Sequence, residues 1–328
     1  VGVKNWGKII PWRWTSIDEL EPRVIAFDAP NYISRRLSVI PSQKIDRAPT
    51  SHVHILLATV LSCLRCHILP VFVFDGPPEQ LKRMTNPQLI QTSEDLYQRW
   101  LASDEDYLRD RLESFASPAV RLYFALHHTK DICAAAGIPV VAAPSEAEMA
   151  AAVLCQEGKV GTVASNDADA LLFGAGHVTR SIRLSKGQIE RVLLSDFQAR
   201  LELDLERMKD LAIVCGCDFH KRGVRGVGPR KGAIGLRRHG SLENLLRALG
   251  LPQAEIEEYL KARDVFDEPH FLTMRIDSMS LQPPVKGRVA RLLEPALGGE
   301  LAEHRASEFL RLWKGFGRVQ MTLEGWIS

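Results

Sequence analysis

The stretch that decides the fold runs from Gly137 to Asp169. It opens GIPVVAAPSEAEMAAAV (137–153) and closes GTVASNDAD (161–169). Each part is a short apolar run that ends in a pair of carboxylates, Glu146 with Glu148 and Asp167 with Asp169. Short Val- and Ile-rich runs bounded by turn residues read as buried strands. Three more runs follow the same rule: RVIAFDAP (23–30) reaches Asp28, LPVFVFDG (69–76) reaches Asp75, and LAIVCGCDFH (211–220) reaches Asp218. The last is ambiguous, since 208–215 suits a helix equally well.

Between the runs lie helix-like segments such as HVHILLATVLSCLRCHI (52–68) and VRLYFALHHTKDICAAAG (120–137). Strands alternating with helices predict an α/β fold, a mainly parallel sheet flanked by helices on both faces. In such sheets the carboxyl ends of the strands share one edge, where ligand crevices form. Five run ends would therefore gather seven carboxylates. Like charges so crowded raise one another's pKa unless cations offset them. No His or Cys cluster accompanies the acids, so the donor set is all oxygen, which favours Mg²⁺ or Mn²⁺ over zinc. Two such ions would suit in-line attack on a phosphodiester. Five of the acids also have a local reading. Ser145 and Glu148 form the two ends of a capping box, Asp167 and Asp169 suit a helix start, and Asp28 and Asp75 suit turns.

Composition sets the frame. The 328 residues are 45% hydrophobic and 25% charged, with net charge +2, an ordinary globular balance. No apolar stretch reaches membrane-spanning length, and no charged-then-apolar leader opens the chain. The six cysteines fit neither a disulfide framework nor a zinc pattern, and Cys63-Leu-Arg-Cys66 reads as packing in a reducing, intracellular setting. Charge is unevenly spread. Residues 219–242 hold Lys221, Arg222, Arg225, Arg230, Lys231, Arg237 and Arg238 with no acid, whereas 86–117 hold seven acids against three arginines. A local basic stripe is an electrostatic footprint for nucleic acid that a bulk charge of +2 is not.

Read in order, VFVFDGPPEQLK, APSEAEMAAAVL, ASNDADALLFGA and CGCDFHKRGVRGVGPRKG resemble the flap endonucleases of the structure-specific 5′-nuclease superfamily, here in an archaeal-like form. GVKNWGKII near the start and TSHVHILLATVLSCLRCHILPVFVFDG resemble that family's N-terminal region. The resemblance implies a PIN-like nuclease with a helical arch insertion and a helix-two-turn-helix element. Its activity would be 5′-flap endonuclease and 5′–3′ exonuclease in DNA replication and repair. Asp28, Asp75, Glu146, Glu148, Asp167, Asp169 and Asp218 would hold two Mg²⁺. Lys82 would reach the scissile phosphate, with the amino group of Gly2 nearby. Gly226, Gly228, Arg230, Lys231, Arg237 and Arg238 would hold duplex DNA, with K⁺ at the same element. Two departures stand out. Ser34 occupies the family's base-stacking position, with Tyr32 two residues earlier, and Leu89 falls where a basic residue is expected.

The expected organisation is a nuclease region over 1–83, an arch or gateway insertion over 84–118, and a second nuclease region over 119–218. A helical region over 219–317 and a tail over 318–328 complete it. In that tail Gln320, Leu323, Trp326 and Ile327 have the spacing of a sliding-clamp-interacting peptide of the PCNA-binding kind. The expectation is a monomer acting on branched DNA, cytoplasmic and nucleoid-associated, or nuclear in a eukaryote. The alternatives are a related 5′-nuclease acting on bubbles, four-way junctions or RNA, and a junction-binding protein that does not cut.

Overall fold

The computed structural model of the chain describes residues 3–37, 48–76, 87–267 and 279–324, with side chains in the last stretch to Phe316. In chain order the elements are β1 (Arg13–Ser16), β2 (Val24–Asp28), α1 (Ala29–Leu37), α2 (Ser51–Arg65), β3 (Leu69–Phe74), α3 (Pro87–Leu101), α4 (Glu105–Arg109) and α5 (Pro118–Ala135). There follow β4 (Val140–Ala142), α6 (Ala147–Gln156), β5 (Thr162–Ala164), β6 (His177–Arg183), β7 (Gln188–Leu193), α7 (Leu194–Leu201), α8 (Leu205–Cys215) and α9 (Pro229–His239). The last are α10 (Leu242–Ala248), α11 (Gln253–Asp264), α12 (Lys286–Leu297) and α13 (Gly299–Glu324). The α/β class expected from the alternating runs is what forms. Two compact units result, each made of two chain segments: Val1–Pro22 with Glu148–Met274, and Arg23–Ala147 with Arg275–Ser328.

In the second of these units β2, β3 and β4 pair in parallel, with Val24 opposite Leu69 and Phe72 opposite Val140. All six residues of β3 are buried, as a strand covered on both faces requires. Phe27 and Phe72 stack at 5.1 Å, and Tyr32 of α1 meets both rings edge-on. Helix α5 begins where Pro118 at its first position and the Ser117 side chain, accepting from Val120 N, satisfy the entry turn.

The charged segment expected as an insertion is helical. Its acids face solvent, while Leu96, Tyr97 and Phe115 pack on Val120 and Phe124 of α5, with Leu89 and Trp100 at the margin. The spacing 89, 93, 96, 97, 100 is the buried stripe of a helix. Beneath it, His52 of α2 and His128 of α5 are fully buried, with Nε2 of His52 2.9 Å from Nδ1 of His128. His128 Nε2 donates to the Leu292 carbonyl of α12 at 2.9 Å, so its Nδ1 is the acceptor and His52 is the donor between them.

In the first unit the strand order is β1-β7-β6-β5, antiparallel except for the parallel β5–β6 pair. This antiparallel portion was not among the strands read from the sequence. Helices follow, as expected beyond Asp218, but the run 211–220 is the end of helix α8 and its exit loop, so Asp218 follows a helix rather than a strand. Gly232 and Gly235 bring α9 close to its neighbours: a Cβ on either would lie 2.6 Å from Leu211 Cδ1 or Leu245 Cδ1. The final helix α13 runs to Glu324, through the tail boundary expected at 318. Among the described residues no helix is long and apolar enough to cross a membrane, and all six cysteines are free thiols.

Candidate functional site

Three of the acids belong to the unit that contains β2, β3 and β4. Asp28 closes β2, is 5% exposed, and accepts from the Asn31 backbone N–H at 3.0 Å. Asp75 follows β3 and is exposed; it accepts from Ala147 N at 2.8 Å, so it caps α6. Helix α6 starts at Ala147. The Ser145 carbonyl accepts from Gly76 N at 2.7 Å, and Ala143 N donates to the Phe74 carbonyl at 2.8 Å. These bonds lock the exit of β3 to the loop that carries Glu146, which is buried. Gly76 is obligatory there, since a Cβ would sit 2.1 Å from the Ala143 carbonyl oxygen.

The other four lie in the first unit. Glu148 is half-buried in the first turn of α6. Asp167 N takes a hydrogen bond acceptor in Ser165 Oγ at 3.2 Å, at the exit of β5. Asp169 is 7% exposed and accepts from the backbone N–H of Val3 at 3.2 Å. Burial drives the Asp169 carboxyl well above the usual range; the neighbouring Asp167 and then Asp218 add to this, against the Val3 bond. Burial, and then Asp169 and Asp218, push the Cys217 thiol up to about 11. Asp167 and Asp218 thus act on Asp169 as like charges. Crowded oxygens of this kind suit a hard divalent cation. Among the described residues no three His, Cys, Asp or Glu side chains close round a single point as a metal cage.

The basic stripe falls on α9 and the loop before it. Arg230, Lys231 and Arg238 are exposed on α9. Arg237 is tied down, with an ion pair to Glu202 at 2.8 Å and a bond to the Leu201 carbonyl. Helix α9 begins with Gly228 at its cap and Pro229 inside, and no side chain caps it. Gly226 takes φ 78°, a turn that only glycine enters without strain, and space is open round both it and Gly228.

Gly2, Lys82, Trp326 and Ile327 lie outside the described residues, as do the side chains of Gln320 and Leu323, whose backbone is within α13. The two departures have structural accounts. Tyr32 is buried among Phe27 and Phe72 with its hydroxyl on Thr59, so it is not available for stacking, and Ser34 donates to the Asn31 carbonyl. Leu89 packs at the margin of the α3–α5 core, where a charge would be desolvated.

The XPG N-terminal domain matches residues 3–95 and the XPG I-region matches residues 137–218. All seven acids fall within these two ranges. Flap endonuclease 1 of Methanothrix thermoacetophila is 32% identical, covering 98% of both chains. The chain belongs to the flap endonuclease family. Flap endonuclease 1-A of Sorghum bicolor is 31% identical over 80% of this chain and 72% of its own. Among solved structures, flap endonuclease-1 of Methanococcus jannaschii aligns with a TM-score of 0.70 at 24% identity, over 95% of this chain and 99% of its own. Human GEN1 in complex with Holliday junction DNA aligns at 0.65 and 21% identity, over 95% and 77%. These two likenesses show the fold. As a flap endonuclease the chain is a structure-specific nuclease, a DNA-binding hydrolase of a family that is divalent-metal dependent and typically serves replication and repair.

Proposed function

We propose that this flap endonuclease cuts 5′ flaps at the single-strand/duplex junction, with a 5′–3′ exonuclease mode, using two Mg²⁺ held by Asp28, Asp75, Glu146, Glu148, Asp167, Asp169 and Asp218. The observation that carries this is the crowding of Asp167, Asp169 and Asp218, with a carboxyl at Asp169 that burial and like charge keep from ionising readily. Bound divalent cations would lower the pKa of a water and stabilise charge on the scissile phosphate. The protein's part is to hold the oxygens: Asp28 and Asp75 are each fixed by a backbone N–H, at Asn31 and Ala147. The bond from Val3 N to Asp169 places the start of the described chain beside this cluster, which supports a role for the amino group of Gly2. Lys82 is the proposed electrophilic partner of the phosphate.

Gly226, Gly228, Arg230, Lys231, Arg237 and Arg238 form the proposed hold on duplex, with K⁺ in the glycine turn. The uncapped start of α9 supplies N–H groups suited to a phosphate. Because Arg237 already serves Glu202, Arg230, Lys231 and Arg238 are the stronger contacts. Residues 84–118 act as the arch, and 318–328 engage a sliding clamp through Gln320, Leu323, Trp326 and Ile327. The enzyme works as a monomer wherever replicating DNA lies, in a nucleoid or a nucleus.

The decisive test is cleavage of a labelled double-flap DNA with Mg²⁺ by the wild type and by Asp167→Asn. Cutting one nucleotide inside the junction by the wild type alone is the expected result. Tight binding without cutting by either protein would point to a junction-binding protein instead.

A further inference from the structure

The solvent face of the β1–β7–β6 meander carries a pattern that the metal site does not use. Register puts Trp14, Glu190 and Ser181 in one row across the three strands, and Ser16, Gln188 and Arg183 in the next. In the alternate rows Arg191, Ile189 and Thr179 are buried. Trp12 shares the outward parity of Trp14. In a regular strand Arg180 would have the parity of Ile182, on the inward rows. Strand β6 instead has a register shift between Thr179 and Ser181, which leaves Arg180 as the extra residue and turns it outward, where it is exposed.

The guanidinium of Arg180 lies 4.7 Å from the Trp12 ring centroid, and that of Arg183 lies 4.1 Å from that of Trp14. Two arginines therefore sit over two indoles on the same sheet face. Such stacking pre-orients a guanidinium for an anion. Glu190 is the sole carboxylate in these two rows, and it is bonded to Arg180 at 2.6 Å. Arg183 acts on the same Glu190 carboxylate at longer range than Arg180 does, and both Arg183 and Lys186, at the hairpin turn, are exposed. The surplus charge on the face is positive.

We propose that this face is a docking surface for the phosphate backbone of a nucleic acid strand, with Arg183 on Trp14 as its main contact and Arg180 on Trp12 beside it. The proposal rests on the reading of the chain as a DNA nuclease and adds a contact outside the metal site and outside α9. Charge complementarity selects the occupant: a phosphodiester chain presents anions at regular spacing, and pre-stacked guanidinium groups bind them without paying for their own ordering.

The test uses the full chain with a labelled double-flap DNA, in EDTA, by fluorescence anisotropy over a range of salt concentrations. Arg183→Gln should weaken binding by about three- to tenfold and reduce the slope of log Kd against log salt by about one. Trp14→Phe should keep most of the affinity, while Trp14→Ala should resemble Arg183→Gln; thermal melting confirms that each variant is folded. Cleavage by Arg183→Gln at saturating DNA with Mg²⁺ should match the wild type. Shortening the duplex arms or the single-stranded flap in turn shows which part of the substrate loses the effect. If Arg183→Gln binds with unchanged Kd and salt slope while the wild type binds and cuts, the surface is not a docking site and the nuclease reading stands. If the wild type itself neither binds nor cuts, both readings fail.

Discussion

At the scale of single residues, the ends of apolar runs put Asp28 and Asp75 at strand ends, whereas Asp218 follows helix α8. What could not be read was how the acids are fixed. The Ser145 carbonyl accepts from Gly76, and the first N–H of α6, at Ala147, donates to Asp75. That arrangement depends on a through-space approach of two loops, which no local pattern encodes. It makes Gly76 a sensitive position. Gly76→Ala must push the Ala143 carbonyl away, and with it the bond from Gly76 to Ser145 and the Asp75 cap. The expected cost is about 1–3 kcal/mol of stability, with loss of cleavage larger than loss of DNA affinity. Denaturant melts together with flap binding and cutting assays would check this; an unchanged melt and full activity would refute it. Arg237 is the converse case, a basic residue counted for DNA whose charge the fold has already committed to Glu202.

At the scale of elements, strands β2 to β5 and helices α2 and α5 are where hydrophobic pattern placed them, whereas β6 and β7 were missed. The reason lies in the bulge: Val178 and Thr179 are both buried and Arg180 is exposed, so the period-two alternation slips within six residues. Helix α3 was hidden differently: the acids of the whole segment 86–117 make it read as charged, although α3 itself carries only Glu94 and Asp95 beside its buried stripe. Helices α2, α5 and α12 meet at the histidine pair. Burial, with repulsion from His128 and then His54, holds His52 well below its ordinary value, and burial lowers His128 to about 4 against the Leu292 bond. The unfolded chain therefore binds more protons than the folded one between the ordinary histidine value of 6.5 and about 4. Stability from this pair is complete above the ordinary value and is lost as pH falls through that window, by about 3 kcal/mol for His128 alone. Urea unfolding at pH 7.5 and pH 5 should show the loss. His128→Gln, which can still donate to Leu292, should reduce the dependence on pH by about half. A wild type equally stable at both values would contradict the neutral pair.

At the scale of the whole molecule, each compact unit is assembled from two distant chain segments, a fact that boundaries drawn along the sequence do not capture. Linear reading found where composition changes; long-range contacts decide what folds together. The thiols offer a way to watch that assembly. Burial raises Cys63 and Cys215 to about 12 and Cys217 to about 11, and it raises Cys133 and Cys155 as well. At pH 8 these five are poor nucleophiles until the chain opens. A thiol reagent should therefore label them slowly in the folded enzyme and completely in denaturant, with the labelling rate following unfolding. Rapid labelling of most of these thiols in native buffer would mean that the core is looser than the packing indicates.

The register shift in β6 has an evolutionary corollary. Arg180 occupies a place that neither neighbouring strand needs, since Thr179 and Ser181 already face consecutive residues of β7, Arg191 and Glu190. A lineage could gain or drop that codon without reframing the strand, because every other side chain keeps its partner. The number of guanidinium groups on this face is thus open to adjustment by single-codon insertion and deletion, a kind of variation that the rest of the sheet would not survive.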